Sequence, residues 1–278
     1  MKTQDKEQIA KEVIRLAQLS SQNRIAKRAG VSSATISQII NGNWKLIKDS
    51  MWKKLSVKLR IDDSWSKVET GLFKKMYKYV YMAKKQSTTL AFSHRAGTGK
   101  TTFFTFFRNE FEDVIYIEGT RTMGKKTFLK RLLNNVGLEA YGTTEELYDQ
   151  FVDHVSGLDE PIIINDQFDK LKDGTFDLFM DLYNDLFNSC GFILSGVPAL
   201  EKRIRLGVQR KKIGYEEIWS RMNRKYIELP EVDIEDVQMI FQANGVDDVE
   251  AVHESFNCCD GDLRRVRQDV IKYHLNNN

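Results

Sequence analysis

The chain of 278 residues is 41% hydrophobic and 29% charged, enough apolar mass for one large core or two modest ones, and this excludes disorder as its main theme. Three cysteines (Cys190, Cys258, Cys259) are too few for a disulfide framework, and no Cys/His spacing implies a metal site, so they read as reduced packing residues. No apolar run is long enough to span a bilayer and the opening MKTQDKE lacks an apolar leader, so a cytoplasmic protein with no membrane partner is expected.

The net charge of +3 is a cancellation. Residues 1–64 carry 13 Lys and Arg against 6 Asp and Glu, residues 65–230 carry 25 against 22, and residues 231–278 carry 4 against 11. These balances divide the chain into a basic head, a near-neutral core and an acidic tail, and a basic head calls for a polyanionic partner.

The head has helical periodicity throughout. Its segment RIAKRAGVSSATISQIING (24–42 with Asn23 before it) matches a helix-turn-helix: Ala26 permits close packing, Gly30 makes the turn, Val31 and Ile36 fill the small core, and Ser32 caps the second helix. In that reading Ser33, Thr35 and Gln38 face a DNA major groove, while Arg24, Lys27, Arg28, Lys45 and Lys48 serve phosphates.

The core alternates strand-like and helical segments. Strands are expected over 88–92, 114–117, 162–164, 192–194 and 226–229, each a short apolar run bounded by turn residues or proline, and helices over 101–111, 125–136, 144–155 and 175–188. The last presents Phe176, Phe179, Met180, Tyr183, Leu186 and Phe187 as one apolar face. Alternation of this kind predicts an α/β fold with a parallel sheet covered by helices on both sides. The tail, 231–278, reads as three short helices broken at Gly245 and Gly261.

After the first expected strand comes SHRAGTGKTT (93–102), which fits the phosphate-loop pattern G-x-x-x-x-G-K-[ST] except that His94 stands at the first glycine. Gly97 and Gly99 let successive backbone N–H groups curl towards a phosphate, Thr98 and Thr102 lie in the same loop and helix start, Lys100 reaches the β/γ-phosphates, and Thr101 holds Mg²⁺. The third strand ends on Asp166, which supplies the second acidic group such a site needs for Mg²⁺. Gln167 follows it; an amide can hydrogen-bond water but is not a useful base.

In order, GTGKTT, IIINDQFDKL, SRMNRK and GDLRR resemble an AAA+ module, and with the preceding helix-turn-helix they resemble the AAA+ transposition ATPases of the phage Mu transposition protein B, TnsC and IstB family. The resemblance implies an AAA+ P-loop core over 65–230, an N-terminal helix-turn-helix domain over 1–64 and a short helical lid over 231–278. It implies that Arg221, or else Arg224, reaches a neighbouring subunit's γ-phosphate, that Arg264 contacts nucleotide from the lid, and that Ser195 stands in for a polar residue where Val197 occupies the expected position. It also implies that the position of Gln167 is usually a glutamate, so this chain should bind ATP and hydrolyse it slowly. Either the chain is a naturally slow ATPase or Gln167 is an isosteric replacement that holds the ATP state, the second fitting better with an otherwise intact pattern. The family's activity is ATP-dependent assembly as a helical filament or ring on double-stranded DNA, with recruitment and stimulation of a transposase. Duplex contacts are then expected after the second strand, at Thr120, Arg121, Thr122, Lys125 and Lys126. Two competing readings are a replication initiator or helicase loader, and a helix-turn-helix transcription regulator that senses ATP.

Overall fold

The computed structural model describes residues 3–61 and 65–277; the expected boundary at residue 64 lies outside the described residues. The core is an α/β arrangement around four parallel strands, β1 (Thr89–Ser93), β2 (Val114–Glu118), β3 (Ile162–Asp166) and β4 (Gly191–Gly196), ordered β1-β4-β3-β2. All four are nearly continuous apolar runs because both faces are covered. On one face, α5 (Gly71–Lys85) and α6 (Lys100–Glu110) bury Met76, Val80, Phe103, Phe104 and Phe107 against Phe92, Ile164 and Ile193. On the other, α7 (Lys125–Val136), α8 (Thr144–Ser156), α9 (Asp173–Asp185), α10 (Pro198–Gln209) and α11 (Tyr215–Arg221) enclose Ile115, Ile163 and Leu194.

The expected fifth strand does not form. Among the described residues only Ile227 N bonds to this edge, at Ala91 O and 2.8 Å, so 226–229 runs along the open edge of β1 without a ladder. Helix α9 starts and stops earlier than its periodicity predicts, which leaves Phe187 beyond the helix and 53% exposed. Cys190 and Cys259 pack in apolar clusters as expected, whereas Cys258 is exposed.

Residues before the core fold as α1 (Thr3–Leu19), α2 (Gln22–Ala29), α3 (Ser33–Ile40) and α4 (Asp49–Leu59), around a separate cluster that includes Ile25, Ile36, Ile39, Trp52 and Leu55. Gly30, at φ 66°, turns the chain between α2 and α3, and the Ser32 hydroxyl accepts from Thr35 N at 3.2 Å to start α3. After the core, α12 (Ile234–Ala243), α13 (Val249–Cys259) and α14 (Leu263–Asn277) form a third cluster, with Gly245 and Gly261 both at positive φ between them. Among the described residues no helix is long and apolar enough to cross a membrane.

Candidate nucleotide site

The C-terminal ends of the parallel strands open into a cavity of about 470 Å³. It brings together Gly97, Gly99, Lys100, Thr101 and Thr102 of the loop into α6, Asp166 and Gln167 at the end of β3, and Arg264 of α14. Three segments far apart in sequence therefore converge on one space, the usual place for a ligand in an open parallel sheet.

The loop's geometry follows from its residue types. Gly97 and Gly99 sit at φ 84° and 96°, conformations that side chains resist, and Gly99 precedes the first turn of α6. His94 needs no such freedom: it is absent from the positive-φ positions, and its N–H bonds to Gly196 O at 3.2 Å, prolonging the β1–β4 pairing. That is why a histidine replaces the first glycine without breaking the loop. Burial keeps the His94 imidazole below its ordinary pKa, and its Nε2 has no protein partner.

Lys100 donates from Nζ to the carbonyl of His94 at 2.8 Å and to that of Arg95. Burial lowers its pKa, opposed by the charge of Asp166. Thr98 is fully buried and its hydroxyl donates to Arg95 O at 3.1 Å, so it shapes the loop rather than lining the cavity. The Thr101 hydroxyl donates to Asp166 Oδ2 at 2.6 Å. Burial raises the Asp166 carboxyl above the usual carboxylate range, against the bonds from Thr101 and Gln167 N that favour its charged form. A hydroxyl beside a carboxylate, both hard oxygen donors at a phosphate loop, fits Mg²⁺ carried with a nucleotide, which leaves its other positions to phosphate and water. Thr101 and Asp166 are the residues that would hold it.

The turn into α14 meets the loop directly. Leu263 N bonds to Gly97 O at 3.0 Å, and the Asp262 carboxylate lies where a side chain at Gly97 would stand, 2.1 Å from its Cβ position. Arg264 folds back on Asp262 through Nε at 2.9 Å and Nη2 at 2.8 Å, so its guanidinium sits at the cavity wall with a local carboxylate partner. Arg95 ties the loop to Asp260 at 2.9 Å.

Several residues here were not foreseen. Trp65, Val68, Leu72 and Ile240 supply an apolar wall, and Arg267, whose guanidinium lies 5.2 Å from the centre of the Trp65 ring, adds a second cation from α14. Glu118, at the end of β2, accepts from Gln167 Nε2 at 2.5 Å. A lone tryptophan in a linker and a glutamate ending a strand carry no motif of their own.

Other expected residues lie elsewhere. Ser195 is fully buried on β4 and its hydroxyl has no protein partner; Gly196 and Val197 reach the cavity in its place. Arg221 bonds to Asn184 at 3.2 Å and lies over the Tyr183 ring, and Arg224 bonds to Glu216 at 3.2 Å; neither lines the cavity of its own chain.

The expected phosphate contacts of the head need the largest correction. Arg24 is 8% exposed and donates to Asn135 O at 2.7 Å, Val114 O at 3.0 Å and Glu112 O, all backbone carbonyls of the core. Arg28 donates to Asn109 Oδ1 at 2.8 Å, and burial followed by the charges of Arg108 and Arg24 holds its pKa well down. Lys27 pairs with Glu139 at 2.6 Å. Carbonyls left open at strand and helix ends need donors, which Arg24 supplies, while Arg28 and Lys27 meet the side chains of Asn109 and Glu139, so all three are engaged in docking α2 on the core. Thr35 is also buried, bonded to Ser32 at 2.9 Å, while Ser33 is exposed, Gln38 half-buried, and Lys45 and Lys48 exposed. Arg121, Thr122, Lys125 and Lys126 are exposed around the start of α7.

Residues 86–204 match the family described as an AAA domain. The match runs from the turn before β1 into α10 and takes in the phosphate loop and Asp166, so it is in the segment carrying the candidate site that this chain is similar to an AAA domain. A search of curated proteins returned no match.

Proposed function

We propose, from the premise of an AAA domain over residues 86–204, that this chain is a Mg²⁺- and ATP-dependent DNA-binding protein of DNA transposition. ATP binding drives its assembly on double-stranded DNA as a filament or ring, and the assembly marks target DNA and recruits a transposase. The observation that carries the nucleotide part is the convergence of Lys100, Thr101, Asp166 and Arg264 on one cavity. Phosphate-loop N–H groups, a buried cation and a Mg²⁺-binding pair are the parts phosphoryl transfer requires.

The position of Arg221 and Arg224 supports assembly: any reach they have to a nucleotide is towards a neighbouring subunit's cavity. Two exposed surfaces support duplex binding. One is the α2–α3 unit with Ser33, Gln38, Lys45 and Lys48; the other is the cluster of Arg121, Thr122, Lys125 and Lys126. Contacts of the second kind meet phosphates, so that affinity should fall steeply with salt and vary little with sequence.

Negative-stain imaging with ATP and nonspecific duplex tests the reading. Continuous filaments or rings that require ATP are expected. Discrete dimers on a single operator would instead identify an ATP-sensing regulator, and ATP-independent binding to an origin-like site a replication initiator.

A further inference from the structure

Resting on the reading of this chain as an ATPase, we propose that Glu118 is the carboxylate that takes the proton of the attacking water, and that Arg60 of the N-terminal helical unit holds it in reserve. Glu118 and Asp166 are register partners on adjacent parallel strands. Their side chains therefore leave the same face of the sheet, on strands about 4.8 Å apart. That is the face on which Thr101 meets Asp166 at 2.6 Å. The Tyr116 hydroxyl joins the two carboxylates, 3.2 Å from Asp166 Oδ2 and 3.5 Å from Glu118 Oε2. One strand from the Mg²⁺-binding pair, a second carboxylate thus stands where the sequence position after Asp166 offers only an amide.

Gln167 is committed to holding that carboxylate. Its Nε2 donates to Glu118 Oε1 at 2.5 Å and its Oε1 accepts from Lys170, so both ends of the amide are taken. The backbone is built for the contact. Gln167 adopts a left-handed conformation, φ 54°, and Gly119 N bonds to Asp166 O at 2.8 Å. A Cβ at Gly119 would lie 2.5 Å from Gln167 O, so only glycine permits the ends of β2 and β3 to meet this closely.

The other carboxylate oxygen is held from outside the core. Arg60 follows α4 in a left-handed conformation, and its Nη2 donates to Glu118 Oε2 at 2.5 Å. Its Nη1 donates to Thr105 Oγ1 at 3.3 Å, and that hydroxyl donates to Thr101 O at 2.8 Å. With Arg60 in place each oxygen of Glu118 already accepts a hydrogen bond, one from Gln167 and one from Arg60. Displacement of the N-terminal unit, as DNA engages it, withdraws Arg60 and frees the base. The water oxygen then bonds to the γ-phosphorus and its proton passes to Glu118. The bond from that phosphorus to the β,γ-bridging oxygen breaks, and the oxygen keeps the electron pair and departs in ADP. Glu118 afterwards returns the proton to solvent or phosphate. This gives Gln167 a place in a working site, where it positions rather than replaces the base.

The test uses the full chain with Mg²⁺ and ATP, with and without duplex DNA, reading fluorescent-nucleotide binding and phosphate release in parallel. Glu118→Gln should bind nucleotide as the parent does and lose about 100-fold in turnover, the scale of a general base. Arg60→Ala should raise DNA-free turnover about threefold or more, with Arg60→Lys restoring the parent rate, since a clamp that only stabilises the fold would never accelerate the reaction. Turnover of Glu118→Gln within about threefold of the parent would overturn the assignment of the base. An unaccelerated Arg60→Ala would overturn the masking. A parent chain that binds ATP but releases no phosphate under either condition overturns the base and leaves ATP binding standing, whereas a chain that binds no ATP overturns the ATPase reading and this proposal with it.

Discussion

The N-terminal helical unit and the C-terminal one invert what their charges imply. Residues 1–64 carry 13 cationic side chains, yet those nearest the core are engaged with it: Arg15 pairs with Glu110 at 3.3 Å, Lys27 with Glu139 at 2.6 Å, Arg60 with Glu118 at 2.5 Å, and Arg24 caps carbonyls. The C-terminal unit is acidic, with 4 cations against 11 carboxylates, yet two of the four, Arg264 and Arg267, line the nucleotide cavity. A segment's charge balance counts its cations and says nothing of what they face. In the first unit, cations meet carbonyls and carboxylates of the core and hold two bodies together; in the second, two of them line a cavity.

The largest effect that would sharpen this contrast is on stability. Arg24→Ala leaves three core carbonyls without donors, and chemical denaturation should register a loss of about 3 kcal/mol. A loss near zero would mean that the unit is not held this way. Next, Arg264→Ala should weaken nucleotide binding about tenfold, measured by titration, because a cation at the cavity wall is removed while its partner Asp262 stays behind. Smaller still, Lys45→Ala with Lys48→Ala should lower duplex affinity about threefold and flatten its salt dependence without changing stability, since both are exposed.

The smallest effect concerns pH. Lys212, Arg203 and the Tyr215 hydroxyl hold the Asp173 carboxyl below its usual range at the start of α9. A carboxyl depressed in the folded state stabilises at pH values above its unfolded pKa, and that contribution disappears as pH falls through about 4 and below. The site is largely solvated, so Asp173→Asn should cost under about 1 kcal/mol at neutral pH and flatten the acid limb of a stability-against-pH curve.

Much of the fold was legible because local pattern sets it. Helix 125–136 forms over the residues its periodicity predicts, the turn falls at Gly30, and the phosphate loop lies between β1 and α6. Gly97, Gly99, Lys100 and Thr101 meet as their motif requires because a strand–loop–helix unit fixes their geometry locally, and Asp166 joins them from the end of β3. What was not legible depends on contacts between distant segments. Arg24 looks like a phosphate contact until the open carbonyls of Glu112, Val114 and Asn135 are brought against it. Segment 226–229 looks like a strand, but at the edge of β1 it makes a single ladder bond. Glu118, Trp65 and Arg267 gain their meaning only from the neighbours that the sheet and α14 deliver.

ATP binding in the cavity between the phosphate loop and α14 is expected to run through Lys100. Trp65 lines that cavity, so energy transfer from tryptophan to a mant-labelled ATP reports occupancy at the site itself. The account predicts a saturable, Mg²⁺-dependent signal that weakens at least about tenfold in Lys100→Ala, with the variant's fold intact by circular dichroism. Equal binding by Lys100→Ala and the parent, or no saturable signal from the parent, would contradict it.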